Sequence, residues 1–327
     1  MSASIKDGGG PQSRALLALV GPTASGKTKL ALELARQFDR LELVSIDSMT
    51  VYRSMDIGTA KPSMNDLEGI KYHLLDLVDP WEEYSVSQFQ IDARKALHLV
   101  AERNGIPLLV GGTGLYYQAV VDGLEIPGRW PVIREELESI VSTEGGVERL
   151  FRQLVELDPA AAAKMQPNNS RRIVRALEVT IGSGTPFSQH GPGLFSNASG
   201  GVRAVGIDLP RASLYEQIER RLDLLLDSGW VSEVQRLIGD PHGASRTARQ
   251  ALGYKEIIGF LEGRYTMEET RSAILARTRR FAKRQIAWFK RDPRIVWFDS
   301  SDRAKLELVS MVSGVAGYAL DDRLGSG

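Results

Sequence analysis

The chain has 327 residues, 43% hydrophobic and 25% charged, a composition that suits a soluble globular protein of one large domain or two smaller ones. It carries 41 basic and 41 acidic side chains and no cysteine, which excludes structural disulfides and cysteine-based zinc sites. His73, His98, His190 and His242 are scattered without metal-ligand spacing, and no apolar run reaches the length of a membrane span.

In chain order, residues 1–13 are polar and glycine-rich and are expected to be a disordered leader, not a signal peptide. Leu16–Val20 is an apolar run that reads as a buried strand, and Lys29–Ala35 opens a helix running to about Phe38. Leu41–Ile46 reads as a second strand ending at Asp47, and His73–Val78 as a third. Ser87–Arg103 has helical periodicity, and Pro107–Val110 is a short strand closed by Gly111-Gly112-Thr113-Gly114. Strand and helix alternate, so the expected fold class is α/β, a parallel sheet flanked by helices. Its ligands should lie at the C-terminal strand ends, where Gly21, Asp47 and Thr113 converge.

Residues 125–200 differ. They open on Pro127-Gly128-Arg129-Trp130-Pro131, close on a Gly/Ser/Pro-rich stretch, and hold helical segments near Val132–Val141, Val147–Leu157 and Ser170–Ile181. The expected organisation is therefore a core over 14–124, a helical insertion over 125–200 and a core continuation over 201–320 with basic C-terminal helices, then a loose tail over 321–327. In the continuation, Val202–Leu209 reads as a strand, and Leu214–Asp227, Val231–Leu237, Tyr254–Leu261 and Met267–Lys290 as helices; Val296–Phe298 reads as a last strand.

Gly21-Pro22-Thr23-Ala24-Ser25-Gly26-Lys27-Thr28 satisfies G-x-x-x-x-G-K-[ST] at every fixed position and sits between a strand and a helix, the setting of a phosphate loop (P-loop). Its glycines let backbone N–H groups and the helix N-terminus approach a polyphosphate. Lys27 would reach the outer phosphate, and Thr28 would ligate a Mg²⁺. Asp47 has three readings: a Mg²⁺-holding carboxylate, a general base at a strand end, or a helix N-cap for the segment after it. Thr113 could hold a phosphate or a nucleophile, or cap a helix. Arg171 and Arg175 share a helix face, which suits either the phosphates of a large anion or a solvated surface. Arg220 and Arg221 could reach back to the phosphate site. Residues 277–294 hold eight Lys or Arg against Asp292 alone, a local basic stripe of the kind that marks nucleic-acid binding or a solvated cationic face. Arg277, Arg280 and Arg284 share one face of it, and Phe281 and Trp288 are expected to anchor the helix in the core.

These segments, with Asp47-Ser48-Met49-Thr50-Val51-Tyr52-Arg53, Met55–Pro62, Val110–Tyr116, Arg172–Val179, Ala251–Glu256 and Ala282–Gln285, resemble in order the signatures of tRNA dimethylallyltransferases over residues 15–300. The chain departs at Thr50, where that family usually has Gln, and it lacks the cysteines of the zinc finger in eukaryotic members, which points to the bacterial type. The resemblance implies transfer of a dimethylallyl group from dimethylallyl diphosphate to N6 of the adenosine 3′ to the anticodon, in tRNAs reading codons that begin with U, with release of pyrophosphate. It implies Asp47 as the base, Thr113 beside the reacting centre and Arg221 on the diphosphate, with Gly21, Pro22, Thr23, Ala24, Ser25, Gly26, Lys27, Thr28 and Mg²⁺ as the cradle. tRNA contacts would map to Asp47, Ser48, Met49, Thr50, Thr113 and Arg134, to Arg171, Arg172, Ile173, Val174 and Arg175, to Gln250, Gly253, Tyr254 and Lys255, and to Arg277, Arg280, Lys283, Arg284 and Gln285. A cytoplasmic, monomeric enzyme is expected, with an ATP-dependent small-molecule kinase or a nucleic-acid-binding ATPase as the alternatives that the P-loop alone allows.

Overall fold

The computed structural model describes residues 16–190 and 201–316; the expected leader, residues 191–200 of the insertion's closing stretch and the expected tail lie outside the described residues. In chain order the elements are β1 (Leu16–Val20), α1 (Lys27–Gln37), β2 (Leu41–Ser45), β3 (Tyr72–His73), α2 (Val86–Glu102), β4 (Ile106–Gly111), α3 (Gly114–Val121), α4 (Pro131–Val141), α5 (Gly146–Leu157), α6 (Pro159–Ala162), α7 (Ser170–Ser183), β5 (Val202–Ile207), α8 (Arg211–Asp227), α9 (Trp230–Gly239), α10 (Arg246–Arg249), α11 (Tyr254–Leu261), α12 (Met267–Phe289), β6 (Ile295–Phe298) and α13 (Ser301–Ala316). They form two compact units, one within residues 16–121 and 201–316, the other beginning at Asp122 against an expected start at 125.

The first unit is built on a parallel six-stranded sheet in the order β3-β2-β4-β1-β5-β6. Its central strands read as unbroken apolar runs because helices cover both faces. Leu17, Leu19, Leu43 and Leu108 pack one face against α1 and α13, while Ala18, Val20, Val44 and Leu109 face the larger core containing Phe89, Tyr117 and Trp230. β4 lies between β2 and β1, with Val110 opposite Ser45 and Gly111 opposite Val20. The three strand ends expected to converge are therefore neighbours in the sheet.

Several elements differ from expectation: α3, α6 and α10 are helices that the sequence reading did not name, and the third strand and the last helix differ as follows. The third strand covers Tyr72–His73, not His73–Val78, because Leu74 (φ 66°) and Asp76 (φ 54°) are left-handed and end the extended run. The N–H groups of Leu77 and Val78 bond instead to the carbonyl of Val51. Ser301–Ala316 forms a helix where none was expected, seated on the sheet through Ala304, Leu308, Met311 and Val312.

In the second unit the three expected helices appear as α4, α5 and α7, around a separate core of Leu137, Leu150, Leu154, Ile173, Val174 and Leu177. Asn169 caps α7 through the Arg172 N–H, and Asp158 takes the N–H groups of Ala161 and Ser188.

Candidate active site

The P-loop turns between β1 and α1. Gly26, at the N-cap of α1, is left-handed (φ 84°) and provides no capping side chain, so the first-turn N–H groups of α1 are left for an anion. Lys27 is the first residue of α1 and is buried. Its ammonium donates to the Pro22 carbonyl and to Ser25 Oγ at 3.3 Å. Burial, then the nearby Arg221 guanidinium, push Lys27 down to about 7, against the pull of Asp47. Arg221, on α8, is half-buried and is also lowered by burial, again opposed by Asp47, and it donates to the Thr59 carbonyl at 3.5 Å. Two cations thus face one carboxylate in a low-dielectric site, an arrangement that a further anion would stabilise.

Asp47 follows β2, and its Oδ1 accepts the Met49 N–H at 2.8 Å, an Asx turn that fixes the carboxylate. Thr113, in the turn after β4, accepts the Ser48 N–H on Oγ1 at 3.2 Å and donates toward Ser48 Oγ at 3.5 Å. Ser48 therefore ties the base candidate to Thr113. Thr50 is buried and shares a hydrogen bond with Ser45 Oγ at 2.9 Å. Burial and Asp47 raise the Tyr72 hydroxyl.

A cavity of about 760 Å³ is lined by Lys27, Thr28, Asp47, Thr113 and Arg221, together with the rest of the loop from Thr23 and with Ser48, Met49 and Thr50. Gln250, Tyr254, Arg277, Arg284 and Gln285 also line it, whereas Lys255, Arg280 and Lys283 are exposed outside the lining. Arg277 pairs with Glu256 at 2.7 Å and donates to the Gln250 carbonyl at 2.7 Å.

Several residues expected to contact RNA are engaged within the fold. Tyr254 lines the cavity with its hydroxyl buried and donated to Glu233 at 2.7 Å, and the left-handed Gly253 gives its N–H to Glu256 at 2.9 Å. Gln285 is buried, with both ends of its amide engaged inside the unit. In the second unit, Ile173 and Val174 belong to the core. Arg134 and Arg175 pair with the fully buried Glu178, at 3.4 and 3.1 Å, and Arg175 also holds the carbonyls of Pro127 and Gly128. Arg171 and Arg172 are exposed. Phe281, expected as a core anchor, lines the cavity instead, beneath the Arg284 guanidinium. Trp288 does pack against the core, and Phe289 is the buried aromatic of that turn.

The residue that pattern reading missed is Glu233. It lies near the start of α9, and its carboxylate accepts the N–H groups of Asp56 (2.9 Å), Ile57 (2.6 Å) and Gly58 (3.1 Å) besides the Tyr254 hydroxyl. This fixes the loop whose next residue, Thr59, lines the cavity and receives Arg221. An acidic residue in the first turn of a helix is too common a signal to have singled it out.

Residues 50–292 match the family model described as IPP transferase. The chain is 42% identical over 308 residues to the tRNA dimethylallyltransferase of Carboxydothermus hydrogenoformans, covering 93% of this chain and 98% of that protein. It is 43% identical over 286 residues to that of Shouchella clausii, covering 86% and 90%. Among solved structures it is similar to the tRNA isopentenylpyrophosphate transferase of Bacillus halodurans, with a TM-score of 0.67, 35% identity and coverage of 93% and 97%. It is also similar to a eukaryotic dimethylallyltransferase acting on tRNA, with a TM-score of 0.74, 25% identity and coverage of 92% and 80%. With a family model spanning most of its length and relatives that align almost end to end, the chain belongs to the IPP transferase family, the tRNA dimethylallyltransferases.

Proposed function

We propose that this chain transfers the dimethylallyl group of dimethylallyl diphosphate to N6 of the adenosine 3′ to the anticodon in tRNAs that read codons beginning with U. The N6–C1 bond forms as the bond from C1 to the diphosphate oxygen breaks. The amine proton passes to Asp47, and pyrophosphate leaves with the bonding electron pair. The observation that carries this reading is a single cavity lined by an anion cradle (Lys27, Thr28, Arg221) and, on other strand ends, by a carboxylate and a hydroxyl (Asp47, Thr113). The leaving diphosphate gains charge as the C–O bond breaks, and preorganised donors with two cations favour that change. The base has to leave its stack to reach such a site, at a cost of about a few kcal/mol. The exposed cations Arg171, Arg172, Lys255, Arg280, Lys283 and Arg284 suit the phosphates of the RNA and would repay part of that cost.

A Mg²⁺ fits the donors present. Thr28 offers a hydroxyl and Asp47 a carboxylate in one cavity, hard oxygens for an ion that takes its remaining ligands from water and phosphate. Thr28 would hold it, and it would supply charge neutralisation to the diphosphate. The reading keeps the enzyme a cytoplasmic monomer. The kinase alternative is not favoured by relatives that are named for dimethylallyl transfer to tRNA.

The test is incubation with labelled dimethylallyl diphosphate, Mg²⁺ and unmodified tRNA. Label should move to the tRNA, and Asp47→Ala should lower the rate by about 10²-fold or more, the range for loss of a positioned base. ATP turnover without label transfer would overturn the reading.

A further inference from the structure

Gln285 lies on α12 and, like Arg284 before it, lines the cavity, although its side chain is buried. Its Oε1 accepts the Thr23 N–H at 2.8 Å, and its Nε2 donates to the Gly112 carbonyl at 2.8 Å. One buried amide thus joins three parts of the site: the P-loop through Thr23, the turn that carries Thr113, and the helix that bears the exposed Arg280, Lys283 and Arg284. An amide is the side chain suited to this task, because it offers an acceptor and a donor a fixed distance apart and carries no charge into the interior.

The glycines of the Gly111-Gly112-Thr113-Gly114 turn support the same assignment. A Cβ on Gly112 would lie 2.2 Å from Gln285 Nε2, and one on Gly114 would lie 2.1 Å from the indole of Trp288. Gln285 and Trp288 are three residues apart and share a helix face. The turn is therefore glycine-rich where α12 presses on it, with Thr113 left between the two contacts. The C-terminal part of α12 is docked onto both halves of the site through this pair.

We propose that Gln285 is a positioning residue: it holds the P-loop and the Thr113 turn at a fixed separation and ties both to the basic helix. The proposal rests on the functional reading above only for what the site acts on. Because both ends of its amide are already engaged within the fold, it assigns Gln285 a role in setting the spacing between the diphosphate cradle and the Asp47–Thr113 pair, not in holding RNA. A bond broken on either side would let the two halves drift, and displacements of about 1 Å in such constellations cost up to 10²-fold in rate.

The test compares the native chain with Gln285→Met, which keeps the length and apolar shape of the side chain but makes neither hydrogen bond. It uses magnesium pyrophosphate and an anticodon stem–loop RNA as separate probes. Gln285→Met should raise the Kd for magnesium pyrophosphate at least fivefold, leave the Kd for the RNA within twofold of native, and lower the single-turnover rate about 10- to 100-fold. Native pyrophosphate affinity in the variant would overturn the proposal. So would a loss of RNA affinity equal to that of Arg284→Ala, which would make Gln285 an RNA contact. Should Gln285→Met fold poorly, a double-mutant cycle replaces it. Gly112→Ala should displace the amide and weaken pyrophosphate binding, and Gln285→Ala in the same chain should relieve the clash with the amide, leaving only the tight 3.0 Å approach to the Gly21 carbonyl, and make the two defects less than additive. Additive defects would overturn the proposal. Both probes report on binding, so the outcome stands apart from whether the chain transfers a prenyl group, which the label assay decides.

Discussion

At the scale of single residues the decisive feature is a lysine buried where its charge is costly. Lys27 titrates at about 7 in the folded chain, against 10.5 in the unfolded one, because of burial and Arg221. Between those values the unfolded chain holds a proton that the folded chain has released, so this group makes stability rise with pH across that window. Below about 7 the full cost is present, and above about 10.5 it vanishes. Lys27→Met removes the titration and should stabilise the fold at pH 6 by an amount on the order of a few kcal/mol. The gain should shrink steadily as pH rises toward 10. Urea unfolding of both chains at pH 6, 8 and 10 tests this, and parallel stability curves would show that Lys27 carries no such cost. The same substitution should abolish pyrophosphate binding, since the cavity loses one of its two central cations. The motif names Lys27 from the sequence alone. The strength of its perturbation is not legible there, because it depends on Arg221, which lies 194 residues later in the chain.

At the scale of elements, the basic stripe divides into cations held by the fold and cations held out to solvent. Arg277 is engaged by Glu256 and the Gln250 carbonyl, whereas Arg280, Lys283 and Arg284 are exposed. Arg280→Ala and Arg284→Ala should each weaken binding of an anticodon stem–loop and lower the slope of log K against log salt by about one. Arg277→Ala should cost stability as well, through the unpaired Glu256. Filter binding across 50–200 mM salt, read beside thermal melts, separates the two classes, and an unchanged slope in the exposed variants would remove α12 from the RNA interface. Period and composition made the parallel sheet, the P-loop, Asp47, Thr113 and α12 itself legible before any coordinates. What they left unread has physical causes. The third strand fails because Leu74 and Asp76 adopt positive φ, which their residue types do not advertise. α13 carries its signal in Ala304, Leu308, Met311 and Val312, spaced as one helical face in an otherwise mostly polar segment. Ile173, Val174, Tyr254 and Gln285 sat in segments that carry RNA contacts by resemblance, but a helix turns every residue of such a segment to a different direction, and these four point inward.

For the molecule as a whole, the cores of the two units have to be kept apart in any account of stability. The unit that begins at Asp122 has its own core, and a buried carboxylate organises its edge. Glu178 is fully buried, accepts the Trp130 N–H at 3.0 Å, and faces Arg134 and Arg175. Arg175 also holds the opening of the unit, through the carbonyls of Pro127 and Gly128. Removing the carboxylate leaves two half-exposed guanidiniums without their shared partner and the Trp130 N–H without its acceptor, a loss of about 2–3 kcal/mol once the exposure of the arginines is allowed for. Glu178→Ala should therefore lower amide-exchange protection in α4, α5 and α7. A core defect is felt first by the elements that share that core, so β1, β2, β4 and β5 should keep native protection, and magnesium pyrophosphate should bind as it does to the native chain. Glu178→Gln keeps an acceptor for Trp130 and the shape of the side chain, and should recover most of the protection. Hydrogen exchange resolved by peptide tests all three statements, and a loss of protection spread evenly over the sheet and the helices of the second unit would show that the two cores unfold as one.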